Sequence, residues 1–142
     1  MSRQTVRISQ SFSAPVDTVF AALADHNKLG TVLGAPVKRI RDGQGDPNGL
    51  GSVRRIGPAP VGVQETVTTF EPNQKIGYRI SRFGGPVKNH AGEVLFTPKD
   101  NGCEVQWTIG FEGRPSVAGP LIAKALEAAI GRGLSKLARQ TA

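Results

Sequence analysis

The sequence predicts an α+β fold in which a curved antiparallel sheet of about six to seven strands wraps around a long C-terminal helix. Two patterns support this prediction. Between residues 61 and 112, apolar and polar residues alternate in segments bounded by Pro, Gly or Asn, as in half-buried strands joined by hairpins. Between residues 117 and 139, apolar residues instead recur every three or four positions, as on one face of a helix. Consecutive hairpins indicate an antiparallel meander, against which the helix buries its apolar face.

The length and composition are typical of one folded domain, which we expect to occupy residues 1–142. The 38% hydrophobic and 20% charged content argues against intrinsic disorder. No apolar run approaches the ~20 residues needed to span a bilayer, and the N-terminus lacks an apolar signal core. Cys103 is the only cysteine, so no internal disulfide or cysteine-rich zinc site can form within the chain. These features predict a cytoplasmic protein.

The N-terminal part is predicted to form a strand followed by a short helix. Residues 5–12 alternate between apolar and polar, which is the period of a strand. Pro15 suits the first position of a helix and Asp17 is favoured by the positive helix start, so a helix should run from here to about Asp25. A further helical turn or two is expected before Gly34.

Six more strands are predicted before the long helix. The first two are short and flank a turn rich in Gly, Asp, Pro and Asn at residues 42–51, where such residues supply the backbone angles of a reversal. The four stronger strands are predicted at residues 61–70, 75–83, 89–97 and 104–112.

The long helix is predicted to organise the core. Its apolar face carries Leu121, Ile122, Ala125, Leu126, Ala129, Ile130, Leu134 and Leu137. Burying six aliphatic side chains at ~1.5 kcal/mol or more each contributes on the order of 10 kcal/mol before chain entropy is subtracted. Gly131 and Gly133 each cost the helix about 1 kcal/mol relative to Ala, so tertiary packing must hold it.

The formal net charge of +7 indicates an attraction to anions but identifies no partner. The basic residues form two groups, which are Lys38, Arg39, Arg41, Arg54 and Arg55, and Lys124, Arg132, Lys136 and Arg139. No aromatic stacking pattern accompanies them, so two solvated faces explain them better than a nucleic-acid footprint. Binding of nucleic acid is therefore not favoured.

Three segments of the chain carry a family pattern. They are APVDTVFAALAD at residues 14–25, TFEPNQKIGYR at residues 69–79, and GEVLFTP at residues 92–98 with Gly102 and VQW at residues 105–107. In this order and spacing the chain resembles the START-like helix-grip (SRPBCC) superfamily, and within it the polyketide cyclase/dehydrase and lipid-transport group. The resemblance covers essentially the whole chain and implies a cavity between sheet and helix. The superfamily holds cyclases, lipid carriers and hormone receptors, so the fold does not settle the function.

Strand parity predicts which side chains face the implied cavity. If Trp107 faces inward, residues of matching parity on the neighbouring strands face inward too. The predicted ligand-binding residues are Tyr78, Ile80, Val94, Phe96, Trp107, Ile109 and Phe111 on the strands, and Leu126, Ile130 and Leu134 on the helix. The same parity includes Val61, Val63, Val67 and Val105. For most of these residues, an ordinary apolar core is the alternative interpretation.

Three polar residues share the inward parity, namely Glu65, Arg82 and His90. A polar group that faces an apolar interior is costly unless it is paired or used. His90 could act as a general acid or base, with Glu65 or Arg82 orienting it or binding a substrate oxygen. The alternatives are a structural histidine held by a backbone hydrogen bond and an ion pair between Glu65 and Arg82. His26 is expected to be exposed in a loop.

Three hypotheses for the function follow. The leading one is binding, or transport, of a hydrophobic small molecule such as a lipid or a polyketide-like aromatic. The second is a polyketide cyclase/dehydratase-type enzyme that uses His90 as its acid or base. The third is a basic interaction module, whose binding would weaken steeply with salt.

No cofactor is expected. Two distant histidines without clustered carboxylates do not predict a metal site, and the chain has no phosphate-binding glycine loop or dinucleotide fingerprint. The oligomeric state stays open between a monomer and a homodimer.

Overall fold

The computed structural model describes residues 3–58 and 62–142, which form seven strands and three helices. The strands are β1 (Arg3–Phe12), β2 (Val37–Arg41), β3 (Val53–Ile56), β4 (Val63–Glu71), β5 (Lys75–Arg82), β6 (Val87–Lys99) and β7 (Gly102–Gly113). The helices are α1 (Val16–Ala24), α2 (Gly30–Leu33) and α3 (Ala118–Gln140). The predicted fold class and order of elements are confirmed. The predicted strand at residues 61–70 is β4, and Val61 lies outside the described residues.

All seven strands form one antiparallel sheet in the order β1-β7-β6-β5-β4-β3-β2. Strand β7 shows the predicted alternation most clearly, since Val105, Trp107, Ile109 and Phe111 are each at most 2% exposed. Trp107 lies opposite Ile8 on one side and Val94 on the other. The parity that the sequence predicts for this strand is therefore confirmed.

Helix α3 packs against β1, β7 and α2, and it buries only part of its apolar face. Ile130 and Leu134 are 2% and 0% exposed, whereas Leu121 is 73% exposed. Ala125 is also exposed, so the predicted burial of these two residues is wrong. In the first half of α3, Ile122 and Leu126 line a cavity instead of a packed layer, and Leu121 and Ala125 on the flank of the apolar face are exposed. Among the described residues, no helix has the length and apolar content needed to cross a bilayer.

Helix α1 closes one end of the sheet through an aromatic cluster. The ring of Phe20 lies 4.9 Å from that of Phe96 and 5.4 Å from that of Phe70, both in edge-on arrangements. Edge-to-face contacts of this kind are favourable beyond the area they bury. This end of the sheet is therefore filled by core packing.

The contact between α2 and α3 depends on a glycine. A β-carbon built on Gly133 would lie 1.9 Å from the carbonyl oxygen of Val32, so any side chain here would push α2 away. At Gly131, two residues earlier, nothing lies within 4 Å of the same position. The sequence predicts that both glycines lower the stability of the helix equally. Only Gly133 offsets this loss, because it allows α2 and α3 to pack closely.

We expect Gly133→Ala to destabilise the protein by about 1–3 kcal/mol, because the new methyl group overpacks the α2–α3 contact. Gly131→Ala is the matched control and should stabilise it by up to about 1 kcal/mol, since Ala has the higher helix propensity and space is available. Urea denaturation of both variants measures the two free energies of unfolding. Equal effects of the two substitutions would contradict this account of the contact.

Candidate ligand-binding site

A cavity of about 240 Å³ lies between the sheet and α3. Strands β3 to β7 and helix α3 supply most of its wall, and Leu33, Ala35 and Gly84 complete it. Of the predicted ligand-binding residues, the structure places Tyr78, Ile80, Trp107, Ile109, Leu126 and Ile130 in this wall. Most of the remaining lining is apolar. In the described lining, the charged or titratable residues are Arg54, Glu65, His90 and Tyr78.

Four predicted lining residues are buried in the core and do not line the cavity. They are Val94, Phe96, Phe111 and Leu134, none more than 5% exposed. Parity places these residues correctly on the inner side of the molecule, but it does not say how far along a strand or helix the cavity extends. Phe96, for example, is covered by Phe20 of α1. Their predicted place in the cavity wall is therefore wrong.

A buried ion pair between Arg54 and Glu65 lies in the cavity wall. The two residues are directly opposite each other on β3 and β4. Arg54 Nε and Nη2 lie 2.9 and 2.8 Å from Glu65 Oε1, and the side chains are only 4% and 9% exposed. The guanidinium also lies 4.6 Å from the ring centre of Tyr78, within range of a cation–π interaction. The prediction that Arg54 belongs to a solvated basic face is wrong, because this charge is paired inside the protein.

Arg82 does not reach the cavity, so its predicted position and its predicted pairing with Glu65 are wrong. Glu65 lies opposite Ile80 but Gln64 lies opposite Arg82, which leaves Ser81 as an extra, unpaired residue in β5. Such a bulge inverts the alternation of the strand, and the side chain of Arg82 therefore points outward. Arg82 is exposed and packs over the ring of Phe83 at 4.7 Å.

His90 lines the cavity as the sequence predicts. Its Nδ1 accepts a hydrogen bond of 3.0 Å from the backbone N–H of Ile80, and its Nε2 lies 4.0 Å from Glu65 Oε2. Burial lowers the pKa of His90 from its usual value; the carboxylate of Glu65 opposes this shift and the charge of Arg54 adds to it. The imidazole is therefore neutral at pH 7. Because Nδ1 is an acceptor, the single proton is on Nε2.

The rings of Tyr78 and Trp107 form the wall beside His90. The indole Nε1–H of Trp107 donates a 2.7 Å hydrogen bond to the hydroxyl of Tyr78. To reach from β5 to β7, the Tyr78 ring crosses β6 over Gly92, which lies opposite it in register. A β-carbon at Gly92 would lie 2.1 Å from Tyr78 Cζ, so the absence of a side chain there is required. Burial raises the pKa of the Tyr78 hydroxyl, which stays protonated.

A second buried polar pair, His26 and Ser52, was not predicted. His26 is 1% exposed, its Nε2 lies 2.8 Å from Ser52 Oγ, and its backbone N–H donates to Asn48 Oδ1 at 3.2 Å. The expectation of an exposed His26 is wrong, because the segment after α1 folds inward onto the start of β3. A histidine in a connection has no periodic pattern, so the sequence carried no signal for this contact. Burial, together with the charges of Arg54 and Arg39, lowers the pKa of His26 to about 3.

A long helix against an antiparallel sheet, with a mainly apolar cavity between them, defines a helix-grip fold. The chain belongs to the polyketide cyclase/dehydrase and lipid transport family, whose sequence model matches residues 3–141. None of the curated proteins compared with the chain matches it.

Solved structures show the same fold at low sequence identity. A protein from Nitrosospira multiformis has a TM-score of 0.72 and 18% identity over 98% of this chain and 97% of its own. A protein from Thermobifida fusca has a TM-score of 0.68 and 21% identity over 96% and 89%. Norcoclaurine synthase from Thalictrum flavum, solved with dopamine and hydroxybenzaldehyde, has a TM-score of 0.69 and 15% identity over 99% and 89%. These likenesses establish the fold of this chain.

The buried His26 makes the stability depend on pH. Its pKa is about 3 in the folded protein and about 6.5 in an unfolded chain. Between these values the unfolded state binds more protons, so stability falls as the pH decreases from about 6.5, by up to about 1.4 kcal/mol per pH unit. We expect His26→Gln to lose this slope in urea denaturation between pH 6.5 and 4. The carboxylates contribute equally to the pH dependence of both proteins. Equal slopes would therefore contradict the lowered pKa of His26 as the cause.

Proposed function

We propose that this protein binds a compact, largely apolar small molecule in the cavity between its sheet and α3. The cavity itself carries the proposal, since an apolar concave site with a few convergent polar groups is the usual form of a small-molecule site. The family to which the chain belongs combines cyclase or dehydrase activity with lipid transport, and ligands of both kinds are largely apolar.

The volume supports one of the two ligand classes that the sequence predicts. An engineered apolar cavity of about 150 Å³ binds benzene. The 240 Å³ found here therefore suits a molecule of one or two rings. A lipid with long acyl chains exceeds this volume, so a polyketide-like aromatic is the better candidate. The complex of norcoclaurine synthase with dopamine and hydroxybenzaldehyde, both single-ring molecules, is an example of such ligands in this fold.

A second candidate function is acid–base catalysis on a bound carbonyl compound. The observation that favours it is the neutral imidazole of His90, which lies in the cavity wall beside the carboxylate of Glu65. The Nε2–H of His90 can donate a hydrogen bond to the carbonyl oxygen of a substrate and stabilise the negative charge that forms there when a proton is removed from the adjacent carbon. Glu65 Oε2, 4.0 Å from Nε2, is the group that can remove this proton, while Arg54 holds the carboxylate in place. Arg82 has no part in this arrangement.

The cytoplasmic location and the choice between monomer and homodimer stay predictions.

Binding can be tested by filling the cavity from α3. Ala129 lines it, whereas the neighbouring Ala128 is exposed. We expect Ala129→Phe to weaken the binding of 2-naphthol at least tenfold, because the added ring occupies the ligand volume, and Ala128→Phe to change it less than twofold. The shift of the single indole N–H signal of Trp107 in NMR titrations measures both affinities. A wild-type protein that leaves this signal unmoved, or equal affinities in the two variants, would contradict the proposal.

Catalysis can be tested with 2-indanone in D₂O, because removal and return of a proton next to its carbonyl group exchanges hydrogen for deuterium. If His90 and Glu65 act in this way, the protein should accelerate this exchange over buffer, and His90→Ala, which removes the donor to the carbonyl oxygen, should lose at least 100-fold of the acceleration. Proton NMR follows the exchange, and Leu126→Ala is the control for altered ligand binding. Exchange at the buffer rate with wild-type protein would remove this second candidate.

A further inference from the structure

We propose that the polar end of the cavity recognises a neutral hydroxyl group, such as that of a phenol or an alcohol, through His90 Nε2 and Glu65 Oε2. This inference rests on the proposed binding function and names the chemical class of its ligand. Its basis is a donor and an acceptor that lie close together in the cavity wall, neither of them engaged by the rest of the described chain.

The donor is the Nε2–H of His90. The backbone N–H of Ile80 already occupies Nδ1 of the same ring, at 3.0 Å. The neighbouring atom Glu65 Oε2 is 4.0 Å from Nε2, which is beyond hydrogen-bonding distance. Within residues 3–58 and 62–142, Nε2 makes no hydrogen bond. A ligand can therefore satisfy it.

The acceptor is the second carboxylate oxygen of Glu65. Both close contacts from Arg54 go to Oε1, at 2.8 and 2.9 Å. Across the described residues, no hydrogen bond to Oε2 is found, and His90 Nε2 lies 4.0 Å from it. A buried carboxylate oxygen with free lone pairs favours a ligand that can donate a proton to it.

The distance between the two atoms suits a single oxygen atom. An oxygen at about 2.8 Å from both atoms fits between them when they are 4.0 Å apart, with an angle of roughly 90° at the oxygen. A hydroxyl oxygen in this position accepts from His90 Nε2–H and donates its own hydrogen to Glu65 Oε2. An ether or ketone oxygen can only accept, so it leaves Oε2 without a partner.

The charge balance excludes an anionic group at this position. Arg54 is the one permanent cation among the described lining residues, and Glu65 already neutralises it. A ligand carboxylate would lie beside the negative charge of Glu65 with no free cation to offset its desolvation. The apolar side chains of Ile122, Leu126 and Ile130 on α3 line the cavity as well. They suit the hydrocarbon part of the same ligand.

Four related probes test this inference, namely 2-naphthol, 2-methoxynaphthalene, naphthalene and 2-naphthoate. In NMR titrations followed at the Trp107 indole N–H, we expect 2-naphthol to bind at least tenfold more tightly than 2-methoxynaphthalene, because one hydrogen bond to a charged group is worth roughly a factor of ten or more. The carboxylate should bind most weakly. Equal affinities for 2-naphthol and 2-methoxynaphthalene would overturn the inference while leaving the proposed function intact. Failure of all four probes to bind would instead overturn the proposed function.

Variants of His90 and Glu65 test whether these two residues cause the preference for 2-naphthol over 2-methoxynaphthalene. His90→Phe removes the donor and keeps a ring, so the preference for 2-naphthol should fall below threefold. Glu65→Gln replaces the acceptor by an amide donor, so 2-methoxynaphthalene should gain relative to 2-naphthol. Leu126→Ala is the control, because it should weaken both probes equally and leave their ratio unchanged. A preference for 2-naphthol that persists in both variants would show that other groups bind the hydroxyl and would overturn the inference. If neither variant folds, the comparison of 2-naphthol with 2-methoxynaphthalene on the wild-type protein decides.

Discussion

The buried Arg54–Glu65 ion pair is the constraint on which the cavity depends. Both side chains are removed from water and meet at 2.8 Å, so each charge is tolerated only because the other is present. Loss of one partner of such a pair typically costs about 3–5 kcal/mol. The pair also fixes the local arrangement, since it holds the guanidinium over Tyr78 and leaves one oxygen of Glu65 facing His90. The Arg54–Glu65 ion pair therefore contributes to the stability of the core and also orients the polar groups of the cavity wall.

Much of the fold could be predicted from the sequence because its signals are local and periodic. The alternation in β7 and the helical spacing of α3 each depend on burying one face. The face of β7 is buried as predicted, whereas in α3 Ile130, Leu134 and Leu137 are buried but Leu121 and Ala125 are exposed. The predictions for Arg82 and His26 failed because their positions do not follow from a periodic pattern. The extra Ser81 in β5 turns Arg82 outward, and no feature of the sequence marks that bulge. The inward fold of His26 likewise depends on a tertiary contact with Ser52.

The candidate site was predictable only to the level of which face a residue occupies. His90 and Glu65 face the cavity as parity predicts, although the sheet register shifts beside Glu65 in β4 and around His90 in β6. The partner of Glu65 was misidentified, because the sequence-based prediction considers only Arg82 for this pair and assigns Arg54 to a solvated basic face. Register and bulges decide that choice, and they follow from the packing of the whole sheet. Residues in a cavity wall and residues in a solid core have the same pattern in the sequence.

The strand order gives the basic residues of β2 a different meaning. Strand β2 ends the sheet, and the edge of a sheet can accept a strand from another molecule. Only part of this edge is available, because the backbone N–H of Arg39 donates to Asn27 Oδ1. Lys38, Arg39 and Arg41 lie along it, so an antiparallel copy would bring like charges together. Charged edge strands are a common protection against aggregation. Part of the +7 net charge therefore lies where it opposes extension of the sheet by a second copy of the chain.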